Sequence, residues 1–406
     1  MQQLVDSLFS GPPPVPLWLC YLAAMLLFGG IVVFGFVLPM AGTTTWVERR
    51  IAGRIQSRLG PNRTGPAGFL QWLADGIKSV LKEDIVPTHA DARLFKLAPY
   101  VVMSGFVLAF VAIPFGGPLI IADLNVGILY VTAVTSLVVV GILMAGWSSN
   151  NKWSLLGGIR SAAQIVSYEI PAGLSIFPIV MLTGALSMQS IIAGQGWQPW
   201  SWNLFYSPFT FVAFFVFFVS ALAEGNRTPF DLPEAESELV MGAFTEYSGI
   251  RNLLFFMAEW GNLYVIGAIV TTLFLGGGHI PGEARLADAP LLRVPLQFVA
   301  FFLKSYLWVI VAIWLRWTLP RIRVDQMMVM CWKYLVPIAF VNLIGTALWM
   351  VFFPPALEPV VRALLTAATV LLLVGFVRRI RFHLRHARLR RMDLSFNPLS
   401  TASVPR

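Results

Sequence analysis

Long runs of apolar residues constrain the fold of this chain more than any other feature. Of its 406 residues 57% are hydrophobic and 12% are charged, whereas a soluble domain carries about 25% charged residues. A helix needs about 20 apolar residues to cross a bilayer, and the strands of a porin-type barrel would alternate instead. Runs of this kind lie at 17–46, 98–121, 126–147, 161–185, 205–223, 252–275, 296–319, 328–353 and 356–377. The sequence predicts an all-α fold, a polytopic membrane helix bundle with about nine transmembrane helices.

Lysine and arginine residues are concentrated on one side of the predicted spans. The segments after spans one, three, five, seven and nine hold 23 of the 29 basic residues. Such segments normally face the cytoplasm, so we expect the N-terminus outside and the C-terminus in the cytoplasm. The absence of a transit peptide and the Ala-, Arg- and Pro-rich composition favour a bacterial plasma (inner) membrane.

The chain divides into four predicted parts. Residues 1–47 form an outside N-terminus and a long first helix, and residues 48–97 form a cytoplasmic loop. Residues 98–353 form the membrane core with an acidic cytoplasmic loop at 224–251. Residues 354–406 add a ninth span and a basic tail, which we interpret as an anchor for lipid headgroups.

The first cytoplasmic loop contains a predicted amphipathic helix within GFLQWLADGIKSVLKED. Its polar side chains share one side of a helical wheel. The other side holds Phe69, Leu70, Trp72, Leu73, Ile77, Val80 and Leu81. This pattern indicates an interfacial helix that lies on the membrane or under a partner protein.

Several classes of site are excluded by composition. Cys20 and Cys331 are far apart in apolar surroundings, and the four histidines form no metal-binding motif. We therefore expect no disulfide framework, no metal site and no iron–sulfur ligands on this chain. Neither a phosphate loop nor a dinucleotide-binding fingerprint is present. The net charge of +9 is interpreted as facing anionic lipid, so no nucleic-acid partner is expected.

Carboxylates provide the candidate chemistry. Seven of the twenty acidic residues lie in Ala223–Trp260, although charge is costly next to a membrane. Proton handling, cation handling and docking of a basic partner are alternative explanations. Glu234 and Glu238 lie four residues apart on a predicted short helix, so repulsion should raise the pKa of both carboxyls. The basic residues predicted within spans, Lys304, Arg316 and Lys333, are expected to extend toward the membrane surface.

Three long motifs occur in order and resemble one known family. They read ERRIAGRIQSRLGPNRTGP, NNKWSLLGGIRSAAQIVSYEIP and EGNRTPFDLPEAESELV followed by TEYSG and FFMAEW. From about Val37 to Phe353 the chain resembles the H subunit of the proton-pumping NADH–quinone oxidoreductase, respiratory complex I. That family has eight spans, so the ninth span and the basic tail have no family counterpart.

The resemblance implies a membrane subunit that forms the quinone cavity at the junction with the hydrophilic arm. Quinone would be the substrate, with FMN and iron–sulfur clusters held by partner subunits. Those partners would be the hydrophilic iron–sulfur and quinone-site subunits, small membrane subunits and antiporter-like subunits. The residues implied in quinone binding are Trp46, Glu48, Arg49, Arg54, Phe69 and Phe230. Those implied in proton coupling are Asp231, Glu234, Glu236, Glu238 and Glu246 in the acidic loop and Glu169 and Glu259 within spans.

Other functions remain open on the sequence alone. A homologous subunit of an energy-converting hydrogenase or ferredoxin-linked complex would share the acidic loop without using quinone. A stand-alone ion transporter would explain the buried carboxylates, but we find no internal repeat in this sequence. A passive membrane anchor gives no reason for Glu169 and Glu259.

Overall fold

The computed structural model describes residues 17–232, 236–286 and 289–393, and this part of the chain contains helices and no strand. The first long helix consists of α1, Leu17–Val32, a π-helical segment, Val33–Val37, and α2, Leu38–Ile55. Further along follow α3 Gln71–Leu81, α4 Ala92–Ala109, α5 Gly127–Thr135, α6 Leu137–Ser148, α7 Lys152–Thr183 and α8 Met188–Ala193.

The second half of the chain is also helical. It comprises α9 Pro208–Glu224, α10 Glu236–Leu239, α11 Gly249–Phe274, α12 Pro290–Thr318, α13 Val324–Val329, a π segment Met330–Leu335, α14 Val336–Phe352 and α15 Glu358–Asp393. Short 3₁₀ turns lie at Pro66–Gly68, Pro199–Ser201, Asn203–Phe205, Gly242–Phe244, Glu283–Leu286 and Pro355–Leu357.

Eight helical stretches of the described residues are long and apolar enough to cross a membrane. A ninth, α9, is apolar but has only 17 residues. This confirms the all-α, polytopic fold. The chain separates into two compact units, Met1–Phe353 and Pro354–Arg406, and α15 is the helix of the second unit.

Several predicted span boundaries were wrong. The predicted span 98–121 ends as a helix at Ala109, because Pro114 and the turn at Gly116 and Gly117 stop it. The apolar residues beyond that point, Ile113 and Phe115, are buried outside a helix. The segment predicted as a loop before span four is helical from Lys152, where the Asn151 side chain accepts a hydrogen bond from the Trp153 amide.

Each of the two π-helical segments ends two residues before a proline, which is Pro39 for the first segment and Pro337 for the second. Proline lacks an amide hydrogen and its ring crowds the carbonyl of the preceding turn, so the helix widens locally rather than continuing its regular bonds. In the first long helix this widening is the π segment Val33–Val37.

Helix α11 lies at the centre of the first unit. It packs against α2, α3, α4, α9 and α12, and most of its residues are buried. Helix α9 also packs against α7, and α7 in turn contacts α6 and α14. The functional groups described below lie along α11 and along the contacts of α7 with α9.

Buried Gln164 of α7 fixes the loop that follows α9. Its side-chain amide donates to the carbonyls of Ala223 and Phe230, each at 2.7 Å, and lies 3.1 Å from Oδ1 of Asn226. Because the last turn of α9 and two residues after it converge on a single buried side chain, residues 225–232 are held in this conformation. This conformation places Arg227 against α11.

Candidate functional site: a cavity and a series of buried carboxylates

A cavity of 730 Å³ lies between α2, α3 and α11. Leu38, Ala41 and Gly42 line it from α2, and Phe256 and Met257 line it from α11. Ligand pockets of drug-sized molecules have about 300–1,000 Å³ and mostly apolar walls. The size and the lining of this cavity therefore suit an apolar molecule with a polar end.

A cluster of charged residues around Asp75 interrupts the apolar lining, and Lys78 Nζ lies 3.7 Å from its carboxylate. Arg49 of α2 donates to Asp75 of α3 at 2.5 Å, and the Gln71 amide donates to the other carboxyl oxygen at 3.0 Å. Partial burial acts to raise the pKa of Asp75, but the hydrogen bonds from Arg49 and Gln71 outweigh it, so the pKa lies below its usual range. Asp75 is thus ionised at neutral pH, and the pair presents fixed charges to the cavity.

The predicted amphipathic helix is α3, and its polar side faces α2 through this ion pair. Most of its apolar side chains, together with two that directly precede it, are 40–80% exposed: Phe69, Leu70, Leu73, Ile77, Val80 and Leu81. Trp72 lies directly on Gly42 of α2, where a β-carbon would overlap the indole ring. Helix α3 therefore closes one side of the cavity and presents an apolar surface outward.

The other residues implied in quinone binding lie at different distances from the cavity. Arg49 lines it, whereas Arg54 is exposed at the end of α2 and does not. Trp46 and Phe69 contact each other edge to face at 5.5 Å, and the Trp46 indole donates to the Ala67 carbonyl. Phe230 is buried against Tyr168, away from the cavity.

Glu48, also implied in quinone binding, is buried behind the cavity wall. Its Oε1 lies 3.0 Å from Nη1 of Arg316 and accepts a hydrogen bond from the Trp317 indole at 3.1 Å. Arg316, which was expected to extend toward the membrane surface, is paired with this carboxylate. Lys304, for which the same was expected, donates through its ammonium group to the carbonyls of Leu275 and Gly277, which follow the end of α11. Lys333 is exposed.

A second buried ion pair lies next to the pair of Glu48 with Arg316. Arg227 is 2% exposed, and its Nη2 lies 3.1 Å from Oε1 of Glu259 on α11. Its guanidinium carbon also lies 4.1 Å from the ring centroid of Trp260, which lines the 730 Å³ cavity. Glu259 and Trp260 are neighbours in sequence, so one turn of α11 connects this cavity with the interior of the bundle.

Two further cavities continue inward from Glu259. The first, of 30 Å³, is lined by Glu259, Glu224 and Asn262. The second, of 320 Å³, is lined by Glu224, Asn262 and Glu169, and Ser136 donates to Glu169 at 2.7 Å. Glu224 and Asn262 thus border both cavities. The order Glu259, Glu224, Glu169 defines what we term the carboxylate series.

The carboxylates of the acidic loop have different hydrogen-bond partners. Glu238 is bonded to Arg160 and Arg321, each at 2.6 Å. The expected rise in its pKa was wrong: the hydrogen bond from Arg160, then the charges and hydrogen bond of Arg321, lower the pKa of Glu238. Glu246 accepts a hydrogen bond from Asn151 at 2.7 Å, at the first turn of α7.

The structure describes the remaining acidic candidates only in part. Asp231 is half-buried. Glu234 lies outside the described residues, as does the side chain of Glu236. The geometry therefore brings Glu169 and Glu259 into the carboxylate series, while Glu238 and Glu246 hold other helices.

Sequence reasoning missed two residues that organise this region. Glu224 was counted in the acidic stretch but not selected as a site residue, although it directly follows the apolar run of α9. An ionisable residue at the end of a span is a signal that could have identified it. Gln164 gave no such signal, because its partners are backbone carbonyls of a distant loop.

Comparison with known proteins supports the resemblance seen in the motifs. The family described as NADH dehydrogenase matches residues 28–347. A relative from Anaeromyxobacter dehalogenans, named as the H subunit of NADH-quinone oxidoreductase, is 54% identical over 90% of this chain and 91% of its own length. A protein of the same name from Chlorobium luteolum is 47% identical over 84% of this chain and 92% of its own length.

The chain belongs to this family. As a member of the family of NADH-quinone oxidoreductase H subunits, it is a multi-pass membrane subunit of an oxidoreductase complex. The family match ends at residue 347, close to the end of the first compact unit at Phe353. Helix α15 therefore lies beyond the matched region.

Proposed function

We propose that this membrane subunit binds a quinone headgroup in the 730 Å³ cavity and passes the resulting charge change to the carboxylate series. The single observation that carries the proposal is the cavity itself, whose mostly apolar walls hold the ion pair of Arg49 with Asp75, with Lys78 3.7 Å from the same carboxylate. An isoprenoid tail requires apolar walls, and a headgroup requires a few placed polar groups.

Each polar group has a distinct part in this proposal. The Arg49 guanidinium donates a hydrogen bond to a quinone oxygen, which strengthens as the oxygen gains negative charge on reduction. Asp75 holds the guanidinium in place. Glu48 and Arg54 act indirectly, one through Arg316 and the other at the loop, and Trp46, Phe69 and Phe230 support the surrounding loops.

Reduction of a quinone to a quinol takes up two electrons and two protons. Electrons arrive from iron–sulfur clusters of partner subunits, which receive them from NADH through FMN. The change of charge in the cavity is transmitted through Arg227 to Glu259, and then through Glu224 to Glu169. The 30 Å³ cavity between Glu259 and Glu224 has room for a water molecule, which would carry a proton between them.

In this proposal the complex lies in the bacterial plasma membrane, with the 730 Å³ cavity and the acidic loop near the cytoplasmic side. The partners are then the hydrophilic iron–sulfur and quinone-site subunits on that side, together with small membrane subunits. The antiporter-like subunits would lie beyond Glu169, the last member of the carboxylate series.

A steric block tests the quinone site. Gly76 of α3 lines the cavity, and a β-carbon there would meet no atom within 4 Å. We expect Gly76→Phe in the assembled complex to raise the KM for quinone about tenfold, because the ring occupies space needed by the headgroup. NADH oxidation by a hydrophilic artificial acceptor should persist, because the redox arm is unchanged.

Gly29→Phe is the matched control. Gly29 lies in α1, where a β-carbon also meets no atom within 4 Å, and it does not line the cavity. The control should leave both activities unchanged. An assembled Gly76→Phe complex with a normal KM for quinone would refute the assignment of the cavity.

A further inference from the structure

The ring of Trp260 contacts the arginine of each of the two buried ion pairs. The guanidinium carbon of Arg227 lies 4.1 Å from its ring centroid, and that of Arg316 lies 5.8 Å from it. Arg227 is paired with Glu259 at 3.1 Å and Arg316 with Glu48 at 3.0 Å. One indole ring therefore joins two ion pairs that belong to four different segments of the chain.

The charges of this cluster balance, with two guanidinium groups and two carboxylates. Arg227 is nearly completely buried, and its Nε has no hydrogen-bond partner among the described residues. A buried cation with an unbonded N–H group depends strongly on the remaining sources of negative potential. For Arg227 these include the Glu259 carboxylate and the face of the Trp260 ring.

Trp260 lies between the 730 Å³ cavity and the carboxylate series. Its ring lines the 730 Å³ cavity, while the adjacent residue Glu259 lines the first cavity of the carboxylate series. Two like-charged guanidinium groups would repel each other in a low-dielectric interior. An aromatic ring in contact with both stabilises each cation without offering a titratable group.

We infer that Trp260 is a positioning residue for energy coupling: it holds Arg227 against Glu259 and Arg316 against Glu48, so that charge appearing in the cavity acts on Glu259. This inference rests on the proposed function, because it requires the chemistry to occur in the 730 Å³ cavity. It adds that turnover depends on the aromatic face of residue 260 rather than on the volume of its side chain.

The test compares Trp260→Phe with Trp260→Leu in the assembled complex. Both substitutions remove volume, but only Phe keeps an aromatic face, which binds cations less strongly than Trp. We expect Leu to lower kcat for quinone reduction about tenfold while the KM for quinone changes less than about twofold. Phe should restore most of the lost turnover.

A double-mutant cycle provides a second measurement. If the indole acts through the guanidinium, Trp260→Leu and Arg316→Gln should not be additive, because the second change removes a group that the first has already released. Additive effects of the two changes on kcat, or equal kcat for Trp260→Phe and Trp260→Leu, would overturn the inference.

Trp153→Leu is the matched control for loss of a cation–aromatic contact. Lys152 lies 5.4 Å from the Trp153 ring, at the start of α7 and outside the cluster. This variant should retain normal turnover. A normal KM for quinone in Gly76→Phe would refute the proposed function itself. A raised KM there, combined with normal kcat in Trp260→Leu, would refute only the role of Trp260.

Discussion

Glu224 and Glu238 belong to the same acidic stretch, but Glu224 faces internal cavities and Glu238 is exposed and paired with arginines. Glu238 is 44% exposed and is held between two arginines, so its pKa is lowered by the hydrogen bond from Arg160 and by Arg321. Glu224 instead faces two internal cavities. Neither environment follows from spacing in the sequence, because Arg160 and Arg321 come from distant segments.

Glu238 should act as a structural anchor rather than as a proton carrier. Because its pKa is lowered in the folded protein, its stabilisation is present above the ordinary carboxyl pKa and is lost as the pH falls through the lowered value. Between about pH 6 and 8 it stays ionised. We expect Glu238→Gln to increase proteolysis of the acidic loop, with no change in the shape of the pH–rate profile for quinone reduction.

The measurement compares limited proteolysis and initial rates across this pH range in purified complex. A shifted profile in Glu238→Gln would show instead that this carboxyl exchanges protons during turnover.

The carboxylate series makes a different prediction for Glu169, Glu224 and Glu259. Glutamine keeps the shape and hydrogen bonding of glutamate but cannot transfer a proton. Replacement of any of the three by Gln should leave the complex assembled and lower quinone reduction and proton pumping together by about tenfold or more. Asp at the same position should restore part of the activity.

Glu358→Gln is the control, because Glu358 pairs with Arg362 in the second compact unit. Rates and proton stoichiometry can be measured in membrane vesicles. An assembled Gln variant with a normal rate and normal stoichiometry would remove that residue from the series.

At the scale of elements, the contact between α2 and α3 shapes the cavity. Trp72 lies against Gly42 with no space for a β-carbon, and Arg49 with Asp75 forms the polar contact between the same helices. Helix α3 has only 11 residues, and helices this short are marginal in isolation. Its position therefore depends on tertiary contacts, which include these with α2 and its packing against α11.

Gly42→Ala should displace Trp72 and shift α3, which widens or distorts the cavity. We expect a loss of about 1–3 kcal/mol in local stability, the usual cost of overpacking, seen as faster hydrogen exchange in α3, and a lower rate of quinone reduction. Trp72→Phe should partly compensate when combined with Gly42→Ala. Gly30→Ala is the control, since a β-carbon at Gly30 meets no atom within 4 Å. Unchanged exchange in α3 would show that the indole moves aside at no cost.

The family model matches residues 28–347 within the first compact unit, and a second unit runs from Pro354 onward. The second unit contains α15, which has an apolar first part followed by Arg378, Arg379 and Arg381. This order is typical of a span that ends at a cytoplasmic membrane surface. The chemistry proposed above uses residues of the first unit only.

Two experiments at this scale follow. Cysteines at Ser57, and at Ser400, which lies outside the described residues, should both resist an impermeant thiol reagent added to intact cells. Labelling of only one would show that the predicted ninth span is wrong.

Truncation after Phe353 should leave quinone reduction in the assembled complex within about twofold of normal, less than the effect of 1 kcal/mol on a rate. A larger loss in an assembled complex would assign α15 a part in turnover.

The sequence determined the fold class and the family, because hydropathy and basic-residue distribution act over whole segments and the motifs are long. It also located Glu169 and Glu259, since ionisable residues within apolar runs are conspicuous. Only the tertiary structure paired Arg316 with Glu48, joined both ion pairs at Trp260 and placed Glu224 between two cavities. These contacts join residues far apart in sequence, and their energies depend on distance and burial, which no local pattern encodes.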